Sequence, residues 1–453
     1  MRLFGTDGVR GLANGETLTA SLALDLAVSA AQVLIRHDDF ASRHESGRPL
    51  AVVGRDPRIS GQFLQAAVMA GLASAGVDVL DLGVIPTPGI AYLTDALDAD
   101  LGVVITASHN PMPDNGIKFL QRGGVKLDDV LEDEIEARLG QPWERPTGAA
   151  LGRISSASDA LERYVGHLTG TLRKPLAGLT VVVDCAQGAS SASAPLALEN
   201  AGASVIAIHH APTGLDINDH CGATHTEALQ RAVVEHGADC GFAFDGDADR
   251  CIGVDHEGTV VDGDQLIAIM ALALQEQGRL VDDTVVVTVM SNLGFLRAMQ
   301  EHGITVRQTA VGDRYVLEDM RAGRYVVGGE QSGHIILSEY ATTGDGTLTA
   351  LHILERMVET GRSLADLAAV MKRFPQVLLN VPGVDKSRTD DPELVAAVEA
   401  EQKELGDAGR ILLRPSGTEP LVRVMVEAET QERAHEVAER LADVVRRRLA
   451  LRS

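Results

Sequence analysis

Three times in succession the chain runs strand, helix, strand, helix, strand. The first pass has a Val-rich strand near 50–54, a helix near 62–75, a strand at 77–80, a helix near 87–97 and the strand Leu101–Thr106. The second runs through Leu179–Asp184, a helix near 190–201, Ala203–Ile208, a helix near 226–236 and Cys240–Phe244. The third runs through Thr284–Met290, a helix near 293–301, Ile304–Gln308, a helix near 313–321 and Arg324–Val327. Short β-branched runs alternating with helical patterns predict α/β units on largely parallel sheets. At roughly 150 residues per domain, 453 residues allow about three such domains.

The tail breaks the rhythm. Arg410–Arg414 reads as a strand, Pro415–Pro420 as a loop, Leu421–Ala428 as a strand and Gln431–Leu449 as a helix. Ala434, Val437, Ala438, Leu441, Val444, Val445 and Leu449 form its apolar stripe. Arg446, Arg447 and Arg448 fall in its last turn, where the macrodipole favours cations. Gln141–Pro146 and Asp385–Asp391 read as loops or linkers. The expected fold is α/β, three similar α/β/α units with mixed, largely parallel sheets plus a C-terminal α+β domain. The expected boundaries are 1–150, 151–255, 256–372 and 373–453.

Each repeat ends in a polar motif just beyond its last strand. These are Thr106-Ala107-Ser108-His109-Asn110-Pro111, Asp245-Gly246-Asp247-Ala248-Asp249-Arg250 and Gly328-Gly329-Glu330-Gln331-Ser332-Gly333-His334. Ligands of open α/β sheets bind beyond the carboxyl ends of strands. The equivalent placement predicts that the three motifs converge on one cleft, rather than being three unrelated loops.

Charge narrows the ligand. Forty Lys and Arg against 64 Asp and Glu give a net charge of −24. Such a chain is a poor match for a phosphate backbone, which needs cations to displace its counterions. Hydrophobic residues make up 45% and charged residues 23%, which places the chain among globular proteins. Cys185, Cys221, Cys240 and Cys251 form no C-x-x-C pair, which argues against a structural zinc site. Scattered thiols suit a reducing compartment. The apolar stretch Leu18–Ile35 carries Asp25, Ser21, Ser29 and Gln32, and reads as a buried helix rather than a membrane span. With no secretory pattern at the N-terminus, the expectation is a soluble cytoplasmic protein.

The motifs offer specific chemistry. Asp245, Asp247 and Asp249 are oxygen ligands at i, i+2 and i+4, suited to Mg²⁺ or another hard divalent ion. An EF-hand fails, because position six is Arg250 and position twelve is His256. Three carboxylates this close repel one another without a counter-ion. Ser108 and His109 alone would be turn residues; Arg10 and Lys118 add cations nearby in function. Arg414-Pro415-Ser416-Gly417-Thr418-Glu419-Pro420, with Arg423, reads as an anion cradle of backbone N–H groups, hydroxyls and guanidinium forks. On so acidic a chain, a phosphate needs such local cations.

T-A-S-H-N-P, D-G-D-A-D-R, G-G-E-Q-S-G-H and R-P-S-G-T-E-P, in that order, resemble the four signatures of the α-D-phosphohexomutase superfamily. The opening F-G-T-D-G-V-R-G, the V-G-D-R-Y-V at Val311–Val316 and Gln331 resemble the bacterial branch acting on glucosamine phosphates. The resemblance implies that Ser108 is a phosphoserine nucleophile and that Asp245, Asp247 and Asp249 hold one Mg²⁺ per chain with a phosphoserine oxygen. It implies that Glu330 and Ser332 grip sugar hydroxyls. Arg414, Ser416, Gly417, Thr418 and Arg423 would bind the phosphate that is not reacting.

The implied reaction interconverts glucosamine 6-phosphate and glucosamine 1-phosphate for UDP-N-acetylglucosamine and cell-wall synthesis. Glucosamine or glucose 1,6-bisphosphate would be intermediate or activator. Arg10, Lys118 and Arg250 would neutralise the transferring group, with His109 beside the nucleophile, and Lys118 or His334 would be the general base. The expected partners are a small phosphosugar and at most a second copy of the chain in a homodimer, with no nucleic acid and no membrane. Two rivals stand beside this reading. One is a phosphomannomutase/phosphoglucomutase of the same superfamily. The other is a phosphatase resembling the haloacid dehalogenases, in which Asp245 of Phe242–Asp247 would take the phosphoryl group.

Overall fold

A computed structural model describes residues 2–5, 8–36, 44, 46–416 and 421–451. They fall into two compact units, one of residues 1–290 and 304–370, the other of 291–303 and 371–453.

The larger unit holds three sheets. In the first, Asp78–Val84, Leu50–Arg55 and Leu101–Ile105 run parallel, with Ile154–Ser156 added parallel beside Asp78–Val84. The run Ala51-Val52-Val53 is buried on both faces, as a covered parallel strand requires. Helices Ala20–Arg36 and Ile59–Ser74 pack together over one face, where Leu26, Leu64, Val68 and Leu72 join Ala51, Val53, Val103 and Ile105 in one core. Helix Thr87–Ala96 also packs on this sheet. Gly71 allows the close helix pair, since a Cβ there would lie 2.6 Å from Leu24 O.

The second sheet repeats the plan with Ser204–Ile208, Thr180–Asp184 and Cys240–Phe244 in parallel. The third has Thr305–Thr309, Thr284–Thr288 and Val327–Gly329 in parallel. The strand–helix rhythm is therefore present in all three repeats. The composition explains the cores: with few aromatics they are built of Val, Leu, Ile and Ala.

Each sheet also has a strand that the repeat pattern does not show. After the last parallel strand the chain returns antiparallel: Asp114–Gln121 on Leu101–Ile105, Cys251–Asp255 on Cys240–Phe244, and Ile335–Leu337 on Val327–Gly329. Each polar motif is the connection between the outgoing and returning strands. Val9–Leu12 adds a further antiparallel edge beside Asp114–Gln121, so Arg10 faces Gly116 in the register.

The smaller unit is an antiparallel sheet in the order Gln376–Pro382, Leu421–Ala428, Gly409–Pro415, with helices Pro392–Leu405 and Gln431–Arg448. The expected apolar stripe of the last helix forms its core with Val422, Val424 and Val426. Helix Leu293–Glu301 belongs to this unit. Its entry is tied down by buried Glu427, which accepts from Leu293 N at 3.0 Å and from Asn292 Nδ2 at 3.2 Å.

Candidate active site

Ser108 sits in the left-handed region, φ +50°, where a non-glycine residue persists only if its surroundings over-determine it. They do. Its N–H donates to Thr106 Oγ1 at 2.9 Å, and its carbonyl accepts from Arg58 Nη2 at 2.9 Å and Asn218 Nδ2 at 2.8 Å. Arg58 is fully buried and also donates to the carbonyls of Asn110 and Asp114. Asp56 pairs with Arg58 Nε at 2.9 Å and accepts from Thr106 Oγ1 at 2.7 Å. Such charge-assisted bonds to backbone carbonyls fix a loop more firmly than neutral ones.

The hydroxyl is aimed at the second motif. Ser108 Oγ donates to Asp245 Oδ2 at 2.6 Å. Asp245, Asp247 and Asp249 are all buried, each presenting an oxygen within 4.8 Å of the others. Burial, then the charges of Asp249 and Asp247, push the Asp245 carboxyl well above its usual range. Burial and Asp247 raise Asp249 as well. Asp249 Oδ1 is buried without a hydrogen bond. An all-oxygen donor set, mutually repelling and with a buried oxygen that makes no hydrogen bond, fits a hard divalent cation.

Cations surround this triad. Lys118 Nζ lies 3.4 Å from Asp247 Oδ2, which also accepts from Thr87 Oγ1 at 2.7 Å. Lys118 reaches the site because its strand is the antiparallel return, opposite Val104. Arg250 keeps its charge: burial would lower it, but Asp245, Asp249 and Glu330 outweigh that and raise it. His109, with Nδ1 3.4 Å from Ser108 Oγ, is pushed down to about 4 by burial, then by the charges of Arg250 and Arg10. It is therefore a neutral imidazole at neutral pH.

A cleft of about 380 Å³ opens over this floor, lined among others by Arg10, Ser108, His109, Asp249, Arg250, Glu330 and His334. The three motifs thus meet within one unit. The backbones of Arg250 and His334 form a bridge, and Cys251 N donates to Gly333 O at 2.9 Å, locking the second loop to the third. Gly333 (φ +93°) permits this, since a Cβ would lie 2.3 Å from Cys251 O. Glu330 Oε1 accepts from Gly312 N at 3.1 Å at the start of helix Asp313–Gly323. Ser332, on the same turn, is exposed and does not line the cleft.

Several lining residues were not singled out by sequence. Asp313 pairs with Lys126 at 2.7 Å and lies 3.8 Å from His334 Nε2; Arg314 and Arg2 both meet Asp129. Arg314 falls inside the V-G-D-R-Y-V motif, so a signal existed for it. Arg58, Thr87 and Asn218 carried none, because the groups that tie them to the site, Ser108 and Asp247, are far away in the chain.

In the smaller unit, Arg414 and Arg423 are paired across adjacent strands. Burial and then the like charge of Arg423 lower Arg414, and its Nε is buried without a hydrogen bond. Ser416 is buried, and its carbonyl accepts from Lys386 Nζ at 2.7 Å. Two arginines side by side beside a lysine form an anion-seeking edge. Gly417 and Thr418 lie outside the described residues.

Four family models cover nearly the whole chain in order. They are the phosphoglucomutase/phosphomannomutase alpha/beta/alpha domains I (1–144), II (162–258) and III (262–374), and the C-terminal domain (360–444). The chain belongs to the phosphoglucomutase/phosphomannomutase family. Relatives within that family include the phosphoglucosamine mutase of Nocardioides sp., 65% identical over 99% of this chain and 100% of that protein. The phosphoglucosamine mutase of Streptomyces coelicolor is 60% identical over 98% of this chain and 99% of that protein.

Among solved structures, a phosphoglucomutase/phosphomannomutase family protein of Burkholderia thailandensis superposes with a TM-score of 0.80. It has 24% identity over 99% of both chains. An N-acetylphosphoglucosamine mutase of Aspergillus fumigatus, in complex with GlcNAc-6P and magnesium, gives a TM-score of 0.68. It has 18% identity over 98% of this chain and 95% of that one. These two show the family fold.

Proposed function

We propose that the chain is a phosphoglucosamine mutase, interconverting glucosamine 6-phosphate and glucosamine 1-phosphate through a phosphoserine and a 1,6-bisphosphate. The observation that carries this is Ser108. It is buried, locked at its backbone, and hydrogen-bonded through Oγ to a carboxylate of the triad, beside a cleft that Arg10 and Arg250 line. The family and the 60–65% identical relatives support the same substrate class.

In the resting enzyme Ser108 Oγ carries a phosphoryl group. A free hydroxyl of the monophosphate attacks its phosphorus, the Ser Oγ–P bond breaks, and a sugar O–P bond forms, giving the 1,6-bisphosphate. After the sugar turns, Ser108 Oγ attacks the other phosphorus and releases the isomeric monophosphate. Arg10 and Arg250 neutralise the equatorial oxygens, because phosphoryl transfer depends chiefly on positioning and charge. His334 is the better candidate base for the attacking hydroxyl: it lines the cleft, and neither ring nitrogen makes a hydrogen bond. Lys118 is turned to Asp247, so its part is electrostatic.

Asp245, Asp247 and Asp249 would hold Mg²⁺, which supplies Lewis-acid polarisation of the phosphoserine. Glu330, which lines the cleft, would hold sugar hydroxyls, whereas Ser332 does not line it; Arg414, Ser416, Gly417, Thr418 and Arg423 would take the distal phosphate. A division at 1–150, 151–255, 256–372 and 373–453 gives each motif its own domain. Among the described residues no helix is long and apolar enough to cross a membrane, in keeping with a cytoplasmic enzyme; the homodimer is checked by light scattering.

The phosphatase alternative finds little support: Asp245 accepts the Ser108 hydrogen bond and does not line the cleft. Coupled assays with glucosamine, glucose and mannose 6-phosphates test the substrate. A preference for the glucose or mannose compound would move the chain to the sibling activity. Free phosphate released without isomerisation, and no phosphate on Ser108 by mass spectrometry, would overturn the mutase reading.

A further inference from the structure

The second domain carries another set of metal-ligating side chains that this reaction does not use. Asp184 ends the strand Thr180–Asp184, His209 follows the neighbouring strand Ser204–Ile208, and Cys221 lies in the loop before helix Glu227–His236. A carboxylate oxygen, an imidazole nitrogen and a thiol sulfur from these three residues all lie within 4.8 Å of one another. Asp184 and Cys221 are buried and His209 is half-buried.

Asp184 Oδ1 is used locally, accepting from Ala186 N at 2.9 Å. Asp184 Oδ2 faces His209 Nδ1 at 3.0 Å, and this pairing with the carboxylate, against the opposing effect of burial, holds the imidazole above its ordinary pKa. A buried carboxylate oxygen, the imidazole nitrogen that faces it and a thiol are thus grouped from three segments as a mixed oxygen, nitrogen and sulfur donor set.

We propose that Asp184 Oδ2, His209 Nδ1 and Cys221 Sγ bind a borderline-soft divalent ion of the zinc class, with a fourth position open to water. The donor chemistry chooses the metal. Thiolate and imidazole suit zinc, whereas magnesium takes oxygen and would stay with the aspartate triad. Donors around tetrahedral zinc lie about 3.5 Å apart, so the Asp184–His209 pair would open slightly from 3.0 Å within a set whose members already lie within 4.8 Å of one another. On binding, the Sγ–H bond breaks and its proton leaves to solvent, the Nδ1 proton facing Asp184 leaves or is replaced by one on Nε2, and metal–sulfur and metal–nitrogen bonds form.

The loop geometry gives the site a task. Asn218 N donates to Ala186 O at 2.9 Å, and Gly222 packs so tightly that a Cβ would lie 2.4 Å from Phe244 O. Asn218 Nδ2 is the group that holds the carbonyls of Ser108 and Asn110. A metal joining 184, 209 and 221 therefore fixes the loop that steadies the nucleophile. It is a positioning site rather than a second reaction centre.

Cobalt(II) tests this on the full-length protein after removal of metals with a chelator. The expected result is a thiolate-to-cobalt charge-transfer band that saturates at a single equivalent and is displaced by zinc but not by magnesium. Cys221→Ser and His209→Gln should abolish it, the latter at a half-exposed position that leaves the core untouched. Asp247→Asn should retain it. Absence of the band in the unsubstituted protein, its survival in Cys221→Ser or His209→Gln, or its loss in Asp247→Asn would overturn the proposal.

Discussion

The aspartate triad and the Arg414–Arg423 pair are both clusters of one charge, but they are built in opposite ways. The three carboxylates are buried on one short loop, with Lys118 and Arg250 close by. The two guanidinium groups are only partly buried, on facing strands of a hairpin, with Lys386 reaching the carbonyl of Ser416. Burial raises the electrostatic stakes of the first cluster. Long, partly solvated side chains give the second its reach. The contrast suits the proposed division of labour, in which the buried set would serve bond-making and the partly solvated set would serve grip. Substitutions in the first should fall on kcat and in the second on KM.

The strongest break of that contrast is Ser108→Ala, the residue that the triad addresses. Turnover should fall by about 10³-fold or more, with circular dichroism unchanged. Near-normal activity would remove the nucleophile. Next comes Asp247→Asn, expected to lower kcat by about 10²–10³-fold and to abolish the rise in melting temperature that Mg²⁺ gives the unsubstituted protein.

The metal-free protein sharpens this further through pH. Because Asp245 and Asp249 are raised in the folded state, the fold holds protons that the unfolded chain releases. Their contribution to stability is therefore lost as pH climbs above the ordinary carboxylate range, and melting temperature should fall. Mg²⁺ should reverse that trend; a metal-free melting temperature that rises over this window would refute the buried-repulsion account.

A smaller effect is expected at the other cluster. Arg414→Ala removes one charged hydrogen-bond donor, so KM should rise by about 10–100-fold while kcat changes little. A matching loss in kcat would mean that the grip is exerted mainly in the transition state. Smallest is Asn218→Ala, which leaves Arg58 still holding the Ser108 carbonyl. A drop in kcat of about 3–10-fold at constant KM is expected, read from initial rates.

Much of this was open to a reader of the chain. The repeats showed their strands and helices, because β-branched runs and helical stripes are local signals. The three motifs were visible because each is a contiguous string. The returning strands were not. Asp114–Gln121 carries Asn115, Gly116 and Lys118 and is buried on both faces, so it shows no alternation to mark it. Nor did any spacing announce Arg58, whose partners Ser108, Asn110 and Asp114 lie about fifty positions further along.

The same limit explains the cysteines. No C-x-x-C spacing marks the cysteines, and Cys221 comes near Asp184 and His209 only in the fold, from three separate segments. Periodicity and short motifs are properties of neighbours in sequence, and by themselves they determined the α/β repeats, the polar loops and the chemistry each loop could offer. Only the tertiary structure decided which loops share a cleft, which way Ser108 points and which carboxylates lose their water. Those outcomes depend on strand order and burial, which arise when distant segments pack.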